Sequence, residues 1–147
     1  MADSDNRAIE LAGGVDARIL IIPAAAAHDN NHEKAGQKAL AWFQSLGATN
    51  VEVIPIIDRD SAESLTHRKA LREARLIYML GGNANHLATT LRSSSAHEAM
   101  QDAYGDGAVI AGSSAGAVVM RSVFRQHQPA RAKRIGICAK TLRVAPS

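Results

Sequence analysis

The stretch Gly112-Ser113-Ser114-Ala115-Gly116 constrains this chain most. It reads G-x-S-x-G, and the apolar run Gly107-Ala108-Val109-Ile110-Ala111 leads straight into it. A helix-compatible run, Ala117-Val118-Val119-Met120, comes directly after it. A Ser at such a strand-to-helix turn projects its hydroxyl above the sheet. The residues two before and two after it must be small, because the backbone passes close to itself. The succeeding helix aims its N-terminal N–H groups at charge developing nearby. Taken alone, the motif also fits a tight crossover in an α/β protein.

The rest of the chain alternates apolar runs with helical periods. Arg7–Leu11 reads as a short helix closed by Gly13-Gly14, with Asp3, Ser4 or Asp5 as its cap. Arg18–Ile22 is continuously apolar after its first residue, the pattern of a strand buried on both faces. Glu33–Leu46 has apolar residues at 35, 39, 42, 43 and 46, a helical spacing stopped by Gly47. Trp42 and Phe43 on it read as core anchors. Val51–Ile57 is the next strand, and Pro55 gives it an edge position or an early end. Asp58–Ser61 reads as a loop and Ser64–Ala74 as a charged, solvated helix. Leu76–Leu80 is a third strand, leading into Gly81-Gly82-Asn83. Residues 84–104 hold one or two helices broken near Ser93-Ser94-Ser95, and Ala108–Ala111 is the fourth strand. Residues 115–125 form the helix after the elbow. Strands alternating with helices imply a doubly wound, mostly parallel sheet in three layers. Ligands on such sheets bind at the carboxyl ends of the strands, where both glycine-rich turns fall.

Composition sets the limits. The 147 residues fit one domain with a substantial core. Apolar content is 46% and charged content 21%, as for a folded soluble chain. Aromatics at 3% argue against a stacking platform for single-stranded nucleic acid. No apolar run approaches the roughly 20 residues that span a bilayer. The polar, acidic start Met1-Ala2-Asp3-Ser4-Asp5 is unlike a secretory signal, and a single Cys, Cys138, excludes an intrachain disulfide. The expected location is the cytoplasm.

Charge divides the chain. Residues 1–120 carry 10 Lys and Arg against 14 Asp and Glu, a net −4. Residues 121–147 carry 7 Lys and Arg and no acid, a net +7. Residues 1–125 are therefore expected to form the α/β domain and 126–147 a basic, poorly patterned tail. Disorder is expected there unless a sheet edge captures Ile135–Cys138 or Thr141–Val144. A tail of this charge could also serve an anion-binding module.

Three segments, in order, resemble the dipeptidase E and cyanophycinase family of serine peptidases. They are Arg18-Ile19-Leu20-Ile21-Ile22-Pro23-Ala24-Ala25, Leu76-Ile77-Tyr78-Met79-Leu80-Gly81-Gly82-Asn83 and Val109-Ile110-Ala111-Gly112-Ser113-Ser114-Ala115-Gly116-Ala117. The resemblance covers roughly residues 7 to 124. It implies a flavodoxin-like, class I glutamine amidotransferase-like fold, here incomplete. It implies that Ser114 is the nucleophile, that the Ala115 and Gly82 N–H groups form the oxyanion hole, and that Asn83 sits beside the substrate. It implies a small-peptide or isopeptide hydrolase without a cofactor. The expected partner is a small peptide substrate, with no membrane and no nucleic acid; a homodimer remains an open assembly.

Two departures set further expectations. Family members begin with one more strand before the first helix, and draw the triad acid and His from beyond the nucleophile. Residues 115–147 hold no Asp or Glu and one His, His127, so a chain truncated at both ends and lacking a triad base is the alternative. His127 and Cys138 read as incidental tail residues and His86 as a helix-start residue. His28, Asp29 and His32 do not form a metal set by spacing, so no metal is expected.

Overall fold

A computed structural model describes residues 2–27, 30–112 and 137–138. Helix α1 (Ala2–Ala12) leads into β1 (Ile19–Ile22), the one-turn α2 (Ala24–Ala27), α3 (His32–Ser45) and β2 (Val51–Val53). Then come α4 (Arg59–Ala62), α5 (Leu65–Glu73), β3 (Leu76–Met79), α6 (Ala84–Leu91), α7 (Ser95–Gly105), β4 (Val109–Gly112) and β5 (Ile137–Cys138). The strands form one parallel sheet in the order β2-β1-β3-β4-β5, a flavodoxin-like arrangement.

The apolar runs explain the three layers. All four residues of β1, β3 and β4 are buried, so each strand needs cover on both faces. Alternate residues point opposite ways. Leu20, Ile22, Ile77, Met79 and Ile110 pack with Leu71 of α5, Leu87 and Leu91 of α6 and Met100 of α7. Ile19, Ile21, Leu76, Tyr78, Val109 and Ala111 pack on the other face with Ile9 of α1 and Phe43 of α3. Phe43 meets Tyr78 edge to face, with ring centroids 5.0 Å apart. Burying a ring such as Phe43 contributes about 1.5–3 kcal/mol.

Local signals place the ends. Gly13 and Gly14 close α1 at φ +123° and +107°, and the Gly14 N–H donates to the Ile9 carbonyl at 2.9 Å. Strand β2 is the edge strand beyond β1 and stops at Val53, two residues before Pro55. The break near Ser93 is real: Ser93 has φ +57°, and Ser94 caps α7 through its hydroxyl.

Three expectations need correction. Helix α1 starts at Ala2, so Asp5 lies inside it and is not a cap. Asp5 is buried and accepts the Trp42 indole N–H at 2.7 Å. Trp42 is 38% exposed, so only Phe43 of that pair anchors the core. The loop at Asp58–Ser61 is the start of α4, where Asp58 and Ser61 form a reciprocal capping box. In the tail, Ile137 and Cys138 run parallel to β4, paired with Ile110 and Ala111; they belong to Ile135–Cys138, one of the two segments named as exceptions to the disorder expected there.

Candidate active site

Strands β3 and β4 end level, with Met79 paired to Gly112. The turn Gly81-Gly82-Asn83 and the start of G-x-S-x-G therefore leave neighbouring strands at the same edge. Ser114, Ala115, the helix expected over 115–125, His127 and Thr141–Val144 lie outside the described residues, as do His28 and Asp29.

Gly82 has φ +144°, a region closed to most side chains. A Cβ there would stand 2.6 Å from the Ala25 carbonyl carbon and 2.9 Å from the Ala26 nitrogen. The turn is pressed against helix α2, and only glycine fits. The Asn83 N–H donates to the Ala25 carbonyl at 2.9 Å, and the Leu80 N–H to Ile22 at 3.1 Å. These bonds fix which way the Gly82 backbone faces.

The start of α6 adds two further ties. Asn83 is its N-cap, and the carboxamide oxygen accepts the His86 N–H at 2.8 Å. The family resemblance places Asn83 beside the substrate; in the structure its side-chain oxygen accepts the cap bond. The His86 ring reaches back 2.8 Å from Nε2 to the Ile57 carbonyl, beyond β2. A carbonyl only accepts, so Nε2 carries the proton. Helix α2 and the connections after β2 and β3 are thus fastened together.

The β2–α4 loop is tied down by charge. Ser61 donates its backbone N–H and hydroxyl to Asp58, holding that carboxyl below its ordinary range, with the nearby His86 adding to the effect. Glu63 accepts the backbone N–H and hydroxyl of Ser95 at 2.9 and 2.8 Å, which lowers its carboxyl too. Arg59 donates to the Thr89, Arg92 and Ser93 carbonyls at the end of α6. His67 is engaged with the Ser61 carbonyl at 2.8 Å through Nδ1. A cavity of about 490 Å³ opens at this edge between Pro23, His32, Glu33, Gln37, Val53 and Ile57.

The role of Ala25 as the wall behind Gly82 and the reach of His86 were not visible in the sequence. Asp58-x-x-Ser61 was a readable capping signal before a helix. Cys138 lies beside Ala111 in the ladder, one strand out from β4, whose last residue, Gly112, opens G-x-S-x-G.

The profile of peptidase family S51 matches residues 2–136. The chain belongs to that family. Among its curated relatives, the cyanophycinase of Geminocystis herdmanii (strain PCC 6308) is 31% identical over 110 residues, covering 74% of this chain and 39% of that one. The cyanophycinase of Trichormus variabilis (strain ATCC 29413 / PCC 7937) is 33% identical over 112 residues, 74% of this chain and 36% of its own. The chain thus spans less than two fifths of the length of these curated relatives in the matched region. A crystal structure of a peptidase from an acI-B1 Actinobacterium superposes with a TM-score of 0.63 at 21% identity, over 91% of this chain and 68% of that one. That likeness shows the fold. No helix among the described residues of this S51 chain is long and apolar enough to cross a membrane.

Proposed function

We propose that these residues carry the nucleophile and oxyanion hole of a serine peptidase acting on small peptides or isopeptides. Ser114 Oγ attacks the scissile carbonyl carbon while its proton passes to a general base. The carbonyl oxygen becomes an oxyanion, held by the Gly82 and Ala115 N–H groups. Collapse expels the amine with a proton and leaves an acyl-enzyme, which water hydrolyses. The observation that carries this reading is the Gly82 turn. It is locked by Ala25 and Asn83 at the end of β3, level with the strand that runs into G-x-S-x-G.

A second reading keeps the scaffold without the base. It is favoured by His86, the histidine next to the Gly82 turn in sequence, whose Nε2–H is committed to Ile57. An oxyanion hole and binding alone leave a residual rate of about 10³–10⁴ over water. Hydrolysis of acidic dipeptides and of an aspartyl isopeptide by the purified chain, beside Ser114→Ala, separates the two. Turnover well above that residual level and lost in Ser114→Ala supports the peptidase; a rate at or below it, unchanged in Ser114→Ala, supports the scaffold. The basic tail as an anion site is a weaker reading, tested by the salt dependence of binding to a polyanion.

A further inference from the structure

We propose that His86 is a positioning residue for the Gly82 oxyanion donor, a role that rests on the peptidase reading above. Gly82 presents its N–H from a turn with no helix or strand geometry of its own. Its direction is set by Asn83 and the first turn of α6. Asn83 is held from one side by the Ala25 carbonyl, and from the other its side chain holds the His86 N–H. The first turn of α6 is in turn anchored by the His86 ring to the Ile57 carbonyl. The path from Gly82 to the β2–α4 loop runs Gly82, Asn83, His86, Ile57. Each link is a hydrogen bond of 2.8 Å or a peptide bond.

The far end of that path is also fixed. Ile57 and Asp58 donate their backbone N–H groups to the Ser61 hydroxyl at 2.9 and 3.0 Å. The Ile57 carbonyl that receives His86 therefore belongs to a braced loop. An oxyanion donor acts only within hydrogen-bond distance of the developing charge. A shift on the order of 1 Å far from the chemistry can cost about a hundredfold in rate. A ring that ties the helix start to a braced loop limits such a shift.

Three measurements on the full chain test this. The tautomer is read first, from long-range ¹H–¹⁵N spectra of the His86 ring in the unmodified protein. A proton on Nε2 is expected; a proton on Nδ1 with Nε2 bare would overturn the tether. Next, amide exchange is compared between the parent, His86→Ala and His86→Gln, whose amide can donate to Ile57. Asn83 should exchange at least about tenfold faster in His86→Ala, while β1 and β3 amides hold, and Gln should restore it. Unchanged Asn83 exchange in a folded His86→Ala protein overturns the proposal. Last, kcat should fall about tenfold to a hundredfold in His86→Ala with KM nearly constant, less than the 10²–10³ for losing a donor outright. An equal rise in KM would mark a general loss of structure instead. A parent with no turnover would refute the peptidase reading, and exchange and tautomer would then decide the tether by themselves.

Discussion

Helices α6 and α3 both start at the carboxyl edge of the sheet, but their starts are built differently. At α6 the Asn83 side chain caps the helix, the Asn83 N–H is bonded to Ala25, and the His86 ring is tied to Ile57. At α3, Asn31 (φ −114°, ψ 13°) makes no side-chain cap among the described residues. Asn30 before it sits at φ +57°, and the buried His32 Nδ1 has no hydrogen-bond partner among them. The first start holds one backbone donor still; the second, beside a cavity, shows no such ties among the described residues. A donor that must meet a developing oxyanion gains from the first arrangement.

The largest expected effect breaks the α6 side. Gly82→Ala puts a methyl group against the backbone of Ala25 at a positive φ. It should cost about 3 kcal/mol or more, since the residue is strained and the neighbour is not a side chain that can move. Thermal melting should fall by roughly 10 °C. Gly105→Ala at the end of α7 is the control: nothing lies within 4 Å of its Cβ, and no loss of stability is expected.

A smaller effect sharpens the contrast of caps. Asn83→Ala removes a cap bond of 2.8 Å and should cost about 1 kcal/mol in denaturant unfolding. Asn31→Ala removes no cap bond and should stay within about 0.5 kcal/mol. Equal costs at the two positions would erase the distinction drawn between the starts.

The smallest effect is electrostatic. The folded carboxyls of Asp58 and Glu63 both lie below their ordinary range, because each accepts backbone and hydroxyl donors. A depressed folded value means that the contribution is present above the unfolded pKa and is lost as pH falls through the folded one. Thermal melting should therefore drop below about pH 4, and Glu63→Gln should flatten that drop. Both groups are solvent-facing, so the change should be slight. A profile that Glu63→Gln leaves unaltered would mean that the Ser95 bonds at the start of α7 do not matter in solution.

Much of the fold was legible because three strands carry unbroken apolar runs. Ile19–Ile22, Leu76–Met79 and Val109–Gly112 need cover on both sides, and that requirement alone demands three layers. Pro55 correctly marked β2 as a short edge strand. Trp42 misled because helical spacing does not distinguish a ring over the core from one leaning on a buried carboxylate such as Asp5. The start of α1 misled because Asp3, Ser4 and Asp5 are strong cap residues by type, whereas the helix already runs through them. At the candidate site, the tight turn at Gly82 was legible from its glycine pair. Ala25 and Ile57 were not, since they act through their carbonyl oxygens, which every residue type possesses. Ser114 and Ala115 were read from the sequence motif and lie outside the described residues.

The level ending of β3 and β4 bears on where this chain can change in length. Met79 lies opposite Gly112, so the number of residues between Met79 and Gly82 sets how far Gly82 stands above the ladder. One added residue advances an extended chain by about 3.3 Å, more than the whole span of a hydrogen bond. Under the peptidase reading, an insertion in the Leu80–Asn83 connection should therefore abolish turnover. Insertions can be absorbed at the opposite edge of the sheet, where Gly14–Ala17 joins α1 to β1 and bears on no candidate donor. Natural variation in loop length should collect there.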